Sequence, residues 1–309
     1  MTSTKNLVII TGPTGVGKTE LCLYLAGLFN SPIISADSRQ MYADIPIGTA
    51  APTSRQMEMV KHYFVGTLAL DEYYSAAKYE EEAISLITSL FNSHNILIVT
   101  GGSMMYIDAL CYGIDDIPTI TPEIRQSIMH RYETEGLEAM VTLLEKKDPE
   151  YYSIVDRKNP KRVLHALEVC EMTGGTYTSL RRNTARKRPF NILKIGLTRP
   201  REELYGRINS RVDAMIADGL LQEAERVMPF RNCNSLNTVG FKEIYNWMDG
   251  ALTPDGKLWT FEFAVSKIKQ NTRIYSRKQM TWFKRDKSIK WFNPDDREGI
   301  INYIQDNVK

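Results

Sequence analysis

The sequence predicts an α/β protein with a parallel sheet flanked by helices and an all-helical domain inserted into it. Short apolar runs alternate with helical patterns over residues 1–113, which is typical of a parallel sheet with helices on both faces. Residues 114–188 show helical patterns only, and the apolar run Ile192–Leu197 then returns the chain to the sheet. We therefore expect a core of residues 1–113 and 189–309 and a helical insertion of residues 114–188.

The first part of the core alternates predicted strands with predicted helices. Each predicted strand is a short apolar run bounded by polar residues, glycine or proline. The strands are predicted at Leu7–Ile10, Pro32–Ser35, Tyr63–Val65 and Ile96–Val99. The helices are predicted at Glu20–Leu28, at Tyr74–Phe91 and in a segment that ends at Leu110. Because ligands bind at the carboxyl ends of parallel strands, the side chains that follow these strands are candidates for a site.

The insertion and the end of the chain are predicted to be mainly helical. Proline is favoured in the first turn of a helix, so a helix is expected over Pro122–Glu133. Two more are predicted at Leu137–Lys146 and Pro160–Met172. After the returning strand, Pro200 opens an amphipathic helix, and a further helix is expected over Leu258–Lys284.

A phosphate-binding loop with the spacing G-x-x-x-x-G-K-[ST] follows the first predicted strand. Its residues are Gly12, Pro13, Thr14, Gly15, Val16, Gly17, Lys18 and Thr19. The backbone N–H groups of such a loop and the N-terminus of the next helix face the phosphates of a ligand. Lys18 is expected on the phosphates and the Thr19 hydroxyl on a Mg²⁺ ion. The predicted core is therefore P-loop NTPase-like, and the loop does not specify which molecule carries the phosphates.

Two polar segments follow other predicted strands. Asp37 lies just past the second strand, where a carboxylate can accept a proton, hold Mg²⁺ through water or cap a helix. Gly101-Gly102-Ser103 follows the run Ile96–Val99, and its glycines allow a close backbone approach. Ser103 fits either a helix cap or a substrate contact. Both segments are expected to converge with the phosphate loop, because all three follow parallel strands.

The composition excludes several classes of protein. The 309 residues carry a net charge of +2, which is too small to predict a partner by itself. No apolar run approaches the roughly 18 residues that a membrane span needs, and the first residues leave no room for a signal peptide before the first strand. The 4 cysteines and 4 histidines are scattered, so we expect no structural metal and a reducing, cytoplasmic location.

Two basic stretches raise the question of a polyanionic partner. The first covers residues 181–188, where the insertion returns to the core. The second lies on one face of the late helix, and its residues are Lys269, Arg273, Arg277 and Lys284. The aromatic residues near it are Trp282, Phe283 and Trp291. Basic and aromatic side chains together suit looped nucleic acid, whereas a charge run by itself is usually a solvated face, and composition leaves both interpretations open.

Taken together, these motifs resemble those of the bacterial tRNA dimethylallyltransferases, a family that isopentenylates an adenosine beside the anticodon. The matching stretches are residues 12–19, 37–42, 47–50, 101–106, 159–162, 207–215, 239–243 and 277–283. The phosphate loop alone is shared with very many proteins. Its combination with Asp37-Ser38, Gly101-Gly102 and residues 278–282, in this order, is specific, and the resemblance covers nearly the whole chain.

The resemblance implies that the loop binds the pyrophosphate group of dimethylallyl diphosphate, with Mg²⁺, and does not bind ATP. The adenine N6 would attack the allylic carbon, and pyrophosphate would leave. Asp37 matches the general base of the family, and Ser103 stands where the family usually has threonine. The implied catalytic residues are Asp37, Lys18, Thr19 and Ser103, with Thr19 as the metal ligand. The implied diphosphate-binding residues are 12–19 and Lys242.

The resemblance also implies that a monomer clamps the tRNA anticodon stem-loop with the helical insertion and flips the target base into the core. The implied tRNA-binding residues are Asp37, Ser38, Arg39, Gln40, Ser103, Arg125, Lys161, Arg162, His165, Arg273, Arg277 and Lys278. His165 stands where the family often has arginine, and Asn237 where many members carry arginine or glutamine. If the arginine at position 237 helps to bind pyrophosphate, Lys242 or Arg39 has to replace it in this chain.

Three other functions fit part of the sequence. An adenylate isopentenyltransferase of the cytokinin type would have a similar core without needing the insertion or the late basic stretch. A P-loop kinase for a small molecule would couple ATP hydrolysis to a phosphorylated product, although the sequence shows neither an arginine lid of the compact kinase type nor a clear Walker B aspartate. A non-catalytic RNA-binding protein that uses a nucleotide as a switch would not need the carboxylate of Asp37.

Overall fold

The computed structural model describes residues 5–115, 117–181 and 185–308. Within these residues the strands are β1 (Asn6–Thr11), β2 (Ile33–Ser35), β3 (His62–Tyr63), β4 (Ile96–Thr100), β5 (Asn191–Leu197) and β6 (Lys290–Phe292). They form one sheet in the order β3-β2-β4-β1-β5-β6, and each neighbouring pair is parallel. The expected α/β class with a parallel sheet is confirmed, and the loop that follows β1 starts from the middle of the sheet.

Helices connect the strands and form the insertion. In the first part of the chain they are α1 (Lys18–Phe29), α2 (Pro46–Thr49), α3 (Ser54–Met59), α4 (Ala76–Leu90) and α5 (Met104–Tyr112). The next are α6 (Pro122–Lys147), α7 (Pro149–Ile154), α8 (Pro160–Thr173) and α9 (Tyr177–Leu180). The last are α10 (Arg201–Ala217), α11 (Leu220–Arg226), α12 (Phe241–Met248), α13 (Phe261–Phe283) and α14 (Arg297–Asn307). None of the helices in the described ranges is both long and apolar enough to cross a bilayer.

The residues of β1 are apolar at successive positions because both faces of the sheet are covered. Leu7 and Ile9 belong to the larger hydrophobic core on one face, together with residues of α4, α5 and α12. Val8 and Ile10 belong to the core on the other face, together with residues of α1 and α14. All four side chains are completely buried, so β1 provides a rigid base for the loop that follows it.

The structure divides into two compact units. The core unit comprises Met1–Cys111 and Arg188–Lys309, and the insertion unit comprises Tyr112–Lys187. In the insertion unit, α6 and α8 pack around a separate core that includes Met140 and Val163. Gly136 has φ 80° and ψ 173° and interrupts α6, so the two helices expected on either side of it are present as two segments.

The chain re-enters the core unit at Arg188, which is part of the first basic stretch. Its guanidinium forms an ion pair with the buried carboxylate of Glu80 at 2.7 Å. It also donates to the carbonyl oxygens of Ala109 (2.7 Å) and Leu110 (2.9 Å), near the end of α5. Arg188 is therefore part of the core structure. Residues 182–184 of the same stretch lie outside the described residues.

The structure contains elements that the sequence did not predict. Strand β6 is short and includes the partly buried Trp291, whose partner in β5 is Gly196. The expected helix over Leu258–Lys284 begins later, at Phe261, where Thr260 caps it by accepting a hydrogen bond from the N–H of Phe263. Short helices such as α2, α11 and α12 were missed because their apolar residues span too few turns to show a helical period.

Candidate active site

The phosphate loop spans the gap between β1 and α1, and its glycines are required by its backbone. Gly12 has φ 143°, and a Cβ at this position would lie 2.7 Å from the carbonyl oxygen of Leu197 in β5. Gly17 has φ 112° and precedes the first residue of α1. Only glycine adopts such conformations without strain, so the loop curls with its N–H groups next to a helix N-terminus.

The ammonium group of Lys18 lies against the loop. Its Nζ donates to the carbonyl oxygens of Gly12 and Pro13, each at 2.9 Å. Burial lowers the pKa of Lys18 to about 8, and the carboxylate of Asp37 opposes this effect. Thr19 follows in the first turn of α1, where its side chain is exposed. Lys18 and Thr19 are thus both at the loop, as a phosphate site requires.

Arg211 of α10 is a second cation at the loop that sequence reasoning missed. Its Nη1 donates to Oγ1 of Thr14 at 3.3 Å. Burial lowers the pKa of the guanidinium, and the nearby Asp37 carboxylate opposes the shift. Within the described part of the chain, no carboxylate lies in salt-bridge range of Arg211. The only signal in the sequence was the stretch 207–215, which carried no assigned role.

Other arginines hold the loop from outside. Arg207, one turn before Arg211 on α10, donates from Nε to the carbonyl oxygen of Gly15 at 3.0 Å. Arg199 donates from Nε to the carbonyl oxygen of Val16 at 2.9 Å and pairs with Asp295 at 2.6 Å. These bonds satisfy carbonyl groups of the loop and support it from the side of α10.

Asp37 follows β2 and caps a turn with one of its oxygens. Oδ1 accepts hydrogen bonds from the backbone N–H groups of Arg39 (3.0 Å) and Gln40 (3.4 Å). The hydrogen bonds of the described residues leave Oδ2 unused. Asp37 therefore caps a turn and does not cap a helix, and its Oδ2 is available as a proton acceptor. Asp37 is close to a residue that contacts the loop: a Cβ at Gly102 would lie 3.9 Å from Oδ2 of Asp37 and 2.5 Å from Nε2 of Gln279, whose Oε1 accepts a hydrogen bond from the N–H of Thr14.

The Gly101-Gly102-Ser103 segment is packed directly on the segment that carries Asp37. A Cβ at Gly101 would lie 2.1 Å from the carbonyl oxygen of Ala36, so only glycine fits there. Ser103 donates its N–H to the same oxygen at 3.2 Å. Oγ of Ser103 accepts a hydrogen bond from the N–H of Ser38 at 2.7 Å and donates to Oγ of Ser38 at 3.0 Å. These bonds fix the backbone on both sides of Asp37.

Gln279 of α13 joins this segment to the phosphate loop. Its side chain is almost completely buried. Oε1 accepts a hydrogen bond from the N–H of Thr14 at 2.9 Å, and Nε2 donates to the carbonyl oxygen of Gly102 at 2.8 Å. The sequence analysis quoted Gln279 as part of a matching stretch and gave it no role.

The side chains of Arg39 and Gln40 already have partners within the core unit. Nη1 of Arg39 donates to the carbonyl oxygen of Asn234 at 2.6 Å. Nε2 of Gln40 donates to the carbonyl oxygens of Thr49 (3.3 Å) and Ala50 (3.0 Å). Both residues therefore help to hold the turn that follows Asp37. Lys242 is exposed on α12, and no hydrogen bond of the described residues joins its side chain to the loop.

A tyrosine of α13, Tyr275, lies one turn before Gln279. Burial raises the pKa of Tyr275 to about 12, and the Asp37 carboxylate adds to this rise. The side chain as a whole keeps 38 % of its exposure, so part of the ring is accessible to a ligand. Tyr275 is thus one aromatic residue of α13 at the candidate site.

The aromatic residues near the late basic stretch contact other parts of the core unit. Phe283 is 2 % exposed and belongs to the larger core. Trp282 donates from Nε1 to the carboxylate of Asp108 at 2.8 Å, and Trp291 lies in β6. Burial therefore excludes Phe283 from stacking on a base, which the pattern of charges and aromatic residues did not show.

Three arginines line a groove between α10 and α13. The groove has a volume of about 230 Å³ and is lined by Arg201, Tyr205, Gln270, Arg273, Ile274 and Arg277. The guanidinium groups of Arg201 and Arg273 lie 5.1 Å and 5.8 Å from the ring centre of Tyr205. Nη1 of Arg273 donates to Oδ1 of Asn209 at 2.6 Å, but no described carboxylate pairs with any of the three arginines. Arg277 and its neighbour Lys278 are exposed.

The predicted RNA-binding residues of the insertion unit lie on α6 and α8. Arg125 and His165 both approach the buried carboxylate of Glu168, at 3.9 Å and 3.5 Å. Lys161 and Arg162 are exposed in the first turn of α8. The structure thus brings Arg125 and His165 together within this unit.

The described residues contain no cluster of three or more His, Cys, Asp or Glu side chains that could hold a metal ion. At the loop, the protein can offer the Thr19 hydroxyl and the Oδ2 of Asp37. Mg²⁺ usually takes one or two protein oxygens and completes its octahedron with substrate phosphates and water. The donors at the loop fit a Mg²⁺ ion that arrives with a diphosphate.

Comparisons with known proteins point to one family. Residues 40–286 match the family described as IPP transferase. The tRNA dimethylallyltransferase 1 of Phocaeicola vulgatus is 61% identical over 298 residues, which are 96% of this chain and 97% of that protein. The crystal structure of the full-length tRNA isopentenylpyrophosphate transferase from Bacillus halodurans has 32% identity and a TM-score of 0.70, over 98% of this chain and 97% of that one. A eukaryotic dimethylallyltransferase acting on tRNA has 26% identity and a TM-score of 0.75, over 90% of this chain and 70% of that one.

Proposed function

The chain belongs to the IPP transferase family, and we propose that it acts as a tRNA dimethylallyltransferase. It transfers the dimethylallyl group of dimethylallyl diphosphate to N6 of the adenosine on the 3′ side of the anticodon. One observation carries this proposal. Two partly buried cations, Lys18 and Arg211, lie at the phosphate loop, and Gln279 joins that loop to the segment packed on Asp37. The site thus offers cations that can bind an anionic leaving group and a carboxylate that can accept a proton.

The loop stabilises the diphosphate as it leaves. Lys18 has three N–H donors and uses two of them on the carbonyl oxygens of Gly12 and Pro13, so one remains for a phosphate oxygen. The guanidinium of Arg211 has five donors, and a described side chain, Thr14, accepts from one of them at 3.3 Å. Because both cations are partly removed from water, their interaction with the charge that grows on the diphosphate is stronger than it would be in bulk water.

Asp37 takes the proton of the nucleophile. The bond between N6 and the allylic carbon forms while the bond between that carbon and the diphosphate oxygen breaks. The amine proton passes to Oδ2 of Asp37, and pyrophosphate leaves with the bonding electrons. An exocyclic adenine amine is a weak nucleophile, so a positioned carboxylate accelerates the step. Its position is fixed because Oδ1 remains bonded to the N–H of Arg39.

We propose that Thr19 holds a Mg²⁺ ion together with the oxygens of the diphosphate. Such an ion neutralises charge on the leaving group. The exposed hydroxyl of Thr19 in the first turn of α1 supports this assignment.

RNA contacts are proposed in both units. Backbone phosphates are assigned to Arg273, Arg277 and Lys278. The groove supports this assignment, because no described carboxylate pairs with its arginines. The target base is assigned to the residues around Asp37, which are Ser38, Arg39, Gln40 and Ser103. Their hydrogen bonds hold the turn that follows Asp37. Residues 114–188, with Arg125, Lys161, Arg162 and His165, are assigned to the anticodon stem-loop. Binding of pyrophosphate by Lys242, a monomeric state and a cytoplasmic location stay predictions.

Mass spectrometry of an anticodon stem-loop RNA tests the proposal. The RNA is incubated with the protein, Mg²⁺ and dimethylallyl diphosphate, with free AMP as a parallel acceptor. We expect one dimethylallyl group on the loop adenosine and none on AMP. Modification of AMP alone would assign the chain to adenylate prenyl transfer, and modification of neither acceptor would contradict the proposal.

A further inference from the structure

Gln279 links two segments that serve different substrates in the proposed reaction. Its side chain is 1 % exposed, in the last part of α13. One end of its amide binds the N–H of Thr14 in the phosphate loop, and the other end binds the carbonyl oxygen of Gly102. The distances of 2.9 Å and 2.8 Å are those of well-formed hydrogen bonds.

The segment Gly101-Gly102-Ser103 contacts the backbone on both sides of Asp37. Gly102 lies between Gly101, which is in close contact with Ala36, and Ser103, which is bonded to Ser38. Asp37 stands between Ala36 and Ser38. A continuous series of tight contacts therefore leads from Thr14 through Gln279 to the backbone on either side of Asp37.

Few side chains can make this link. It requires an acceptor and a donor at the two ends of one planar group, and among side chains of this length a neutral amide provides both. A methionine would fill similar space but would remove the hydrogen-bond partners of the Thr14 N–H and of the buried Gly102 carbonyl. A buried polar group without a partner is costly, so the link has a defined geometry.

We propose that Gln279 is a positioning residue that couples binding of the diphosphate to the alignment of Asp37 with the target base. The proposal rests on the proposed function, since it assigns the phosphate loop to one substrate and Asp37 to the other. A ligand that orders the loop also orders the segment around Asp37, because the two share a buried amide. By thermodynamic linkage, the base-bearing RNA then tightens the binding of the diphosphate by the same factor.

The test measures this linkage directly. Dissociation constants of an anticodon stem-loop RNA are determined with and without saturating inorganic pyrophosphate and Mg²⁺, for the wild type and for Gln279→Met. In the wild type we expect pyrophosphate to tighten RNA binding about fivefold or more, within the usual range of such couplings. In Gln279→Met the ratio of the two constants is expected to fall towards one, while each ligand still binds by itself.

Two further variants separate positioning from a general loss of stability. Ser276→Ala is the matched control, because Ser276 is equally buried on the same helix and bonds only within it, to the carbonyl of Arg273. It should keep the coupling of the wild type. Ser103→Ala breaks the same series of contacts at its other end, where Ser103 bonds to Ser38, and leaves the phosphate loop unchanged. It should also lower the coupling, and it replaces Gln279→Met as the test if that variant does not fold.

The outcomes are distinct from those that test the function. The wild-type ratio in folded Gln279→Met, or the absence of any coupling in the wild type, would overturn the positioning role. If transfer to RNA is detected but the coupling is absent, the proposed function stands and this inference fails. If the wild type neither binds nor modifies the stem-loop, both fail together.

Discussion

The ammonium nitrogen of Lys18 lies 2.9 Å from the carbonyl oxygen of Gly12, the first residue of the phosphate loop. This contact and the burial of the side chain hold the cation close to the place where the phosphates are expected. Burial also lowers the pKa of Lys18 to about 8. Lys18 therefore loses its charge within a pH range in which the protein can be studied.

The first prediction concerns the pH dependence of pyrophosphate binding. A bound anion favours protonated Lys18, so its pKa is higher in the complex than the value of about 8 in the free protein. Binding must then take up a proton above pH 8, and affinity falls as the pH rises. Calorimetry on the wild type and on Lys18→Met, from pH 6.5 to about 9.5, isolates this effect from the ionisation of pyrophosphate itself. The ratio of the two dissociation constants should be largest below pH 8 and shrink above it, and a ratio of one at every pH would remove Lys18 from the phosphate site.

The second prediction separates the two roles of Asp37. Asp37→Asn keeps an oxygen for the N–H of Arg39 but removes the carboxylate, so the turn should persist and proton transfer should fail. We expect the single-turnover rate on the stem-loop RNA to fall about 10²- to 10⁴-fold, without weaker binding of pyrophosphate. Asp37→Ala, which also loses the cap, should in addition lower the melting temperature. A wild-type rate in Asp37→Asn would leave the residue with its capping role alone.

The third prediction tests Arg211, which sequence reasoning missed. Arg211→Gln should weaken pyrophosphate binding about tenfold or more, because a hydrogen bond from a buried charge is lost. Arg207→Gln is the control: it lies one turn earlier on α10, its exposed side chain also contacts the loop, and it should have a smaller effect. Equal effects of the two substitutions in a calorimetric titration would show that Arg211 only supports the loop.

The fourth prediction concerns the groove between α10 and α13. Replacing Arg273 and Arg277 together by glutamine should weaken binding of the stem-loop RNA and flatten its dependence on salt. The logarithmic slope should decrease by about 0.7 to 0.9 for each RNA phosphate that the protein no longer neutralises. Arg231→Gln serves as the control, since Arg231 is engaged with Asp249. An unchanged slope in the double variant would show that this face is solvated only.

Local motifs made the centre of the site predictable, and distance along the chain hid the rest. The loop and Asp37 follow their strands directly, so the parallel sheet brings them together once its strands are recognised. Gln279 lies 265 residues from Thr14, and no periodicity predicts that α13 packs there. The burial of Phe283 could not be predicted for a related reason, because burial on α13 depends on neighbours far away in the chain.

The buried arginine at the return to the core makes the protein modular. Arg188 ties the chain to the end of α5 and to Glu80, so the strand order and the two hydrophobic cores of the sheet do not depend on the length of chain between Cys111 and Arg188. Insertions are tolerated where the two flanking chain segments lie close together. The residues between Cys111 and Arg188 can therefore vary in sequence while the sheet and the phosphate loop of the core unit keep their structure.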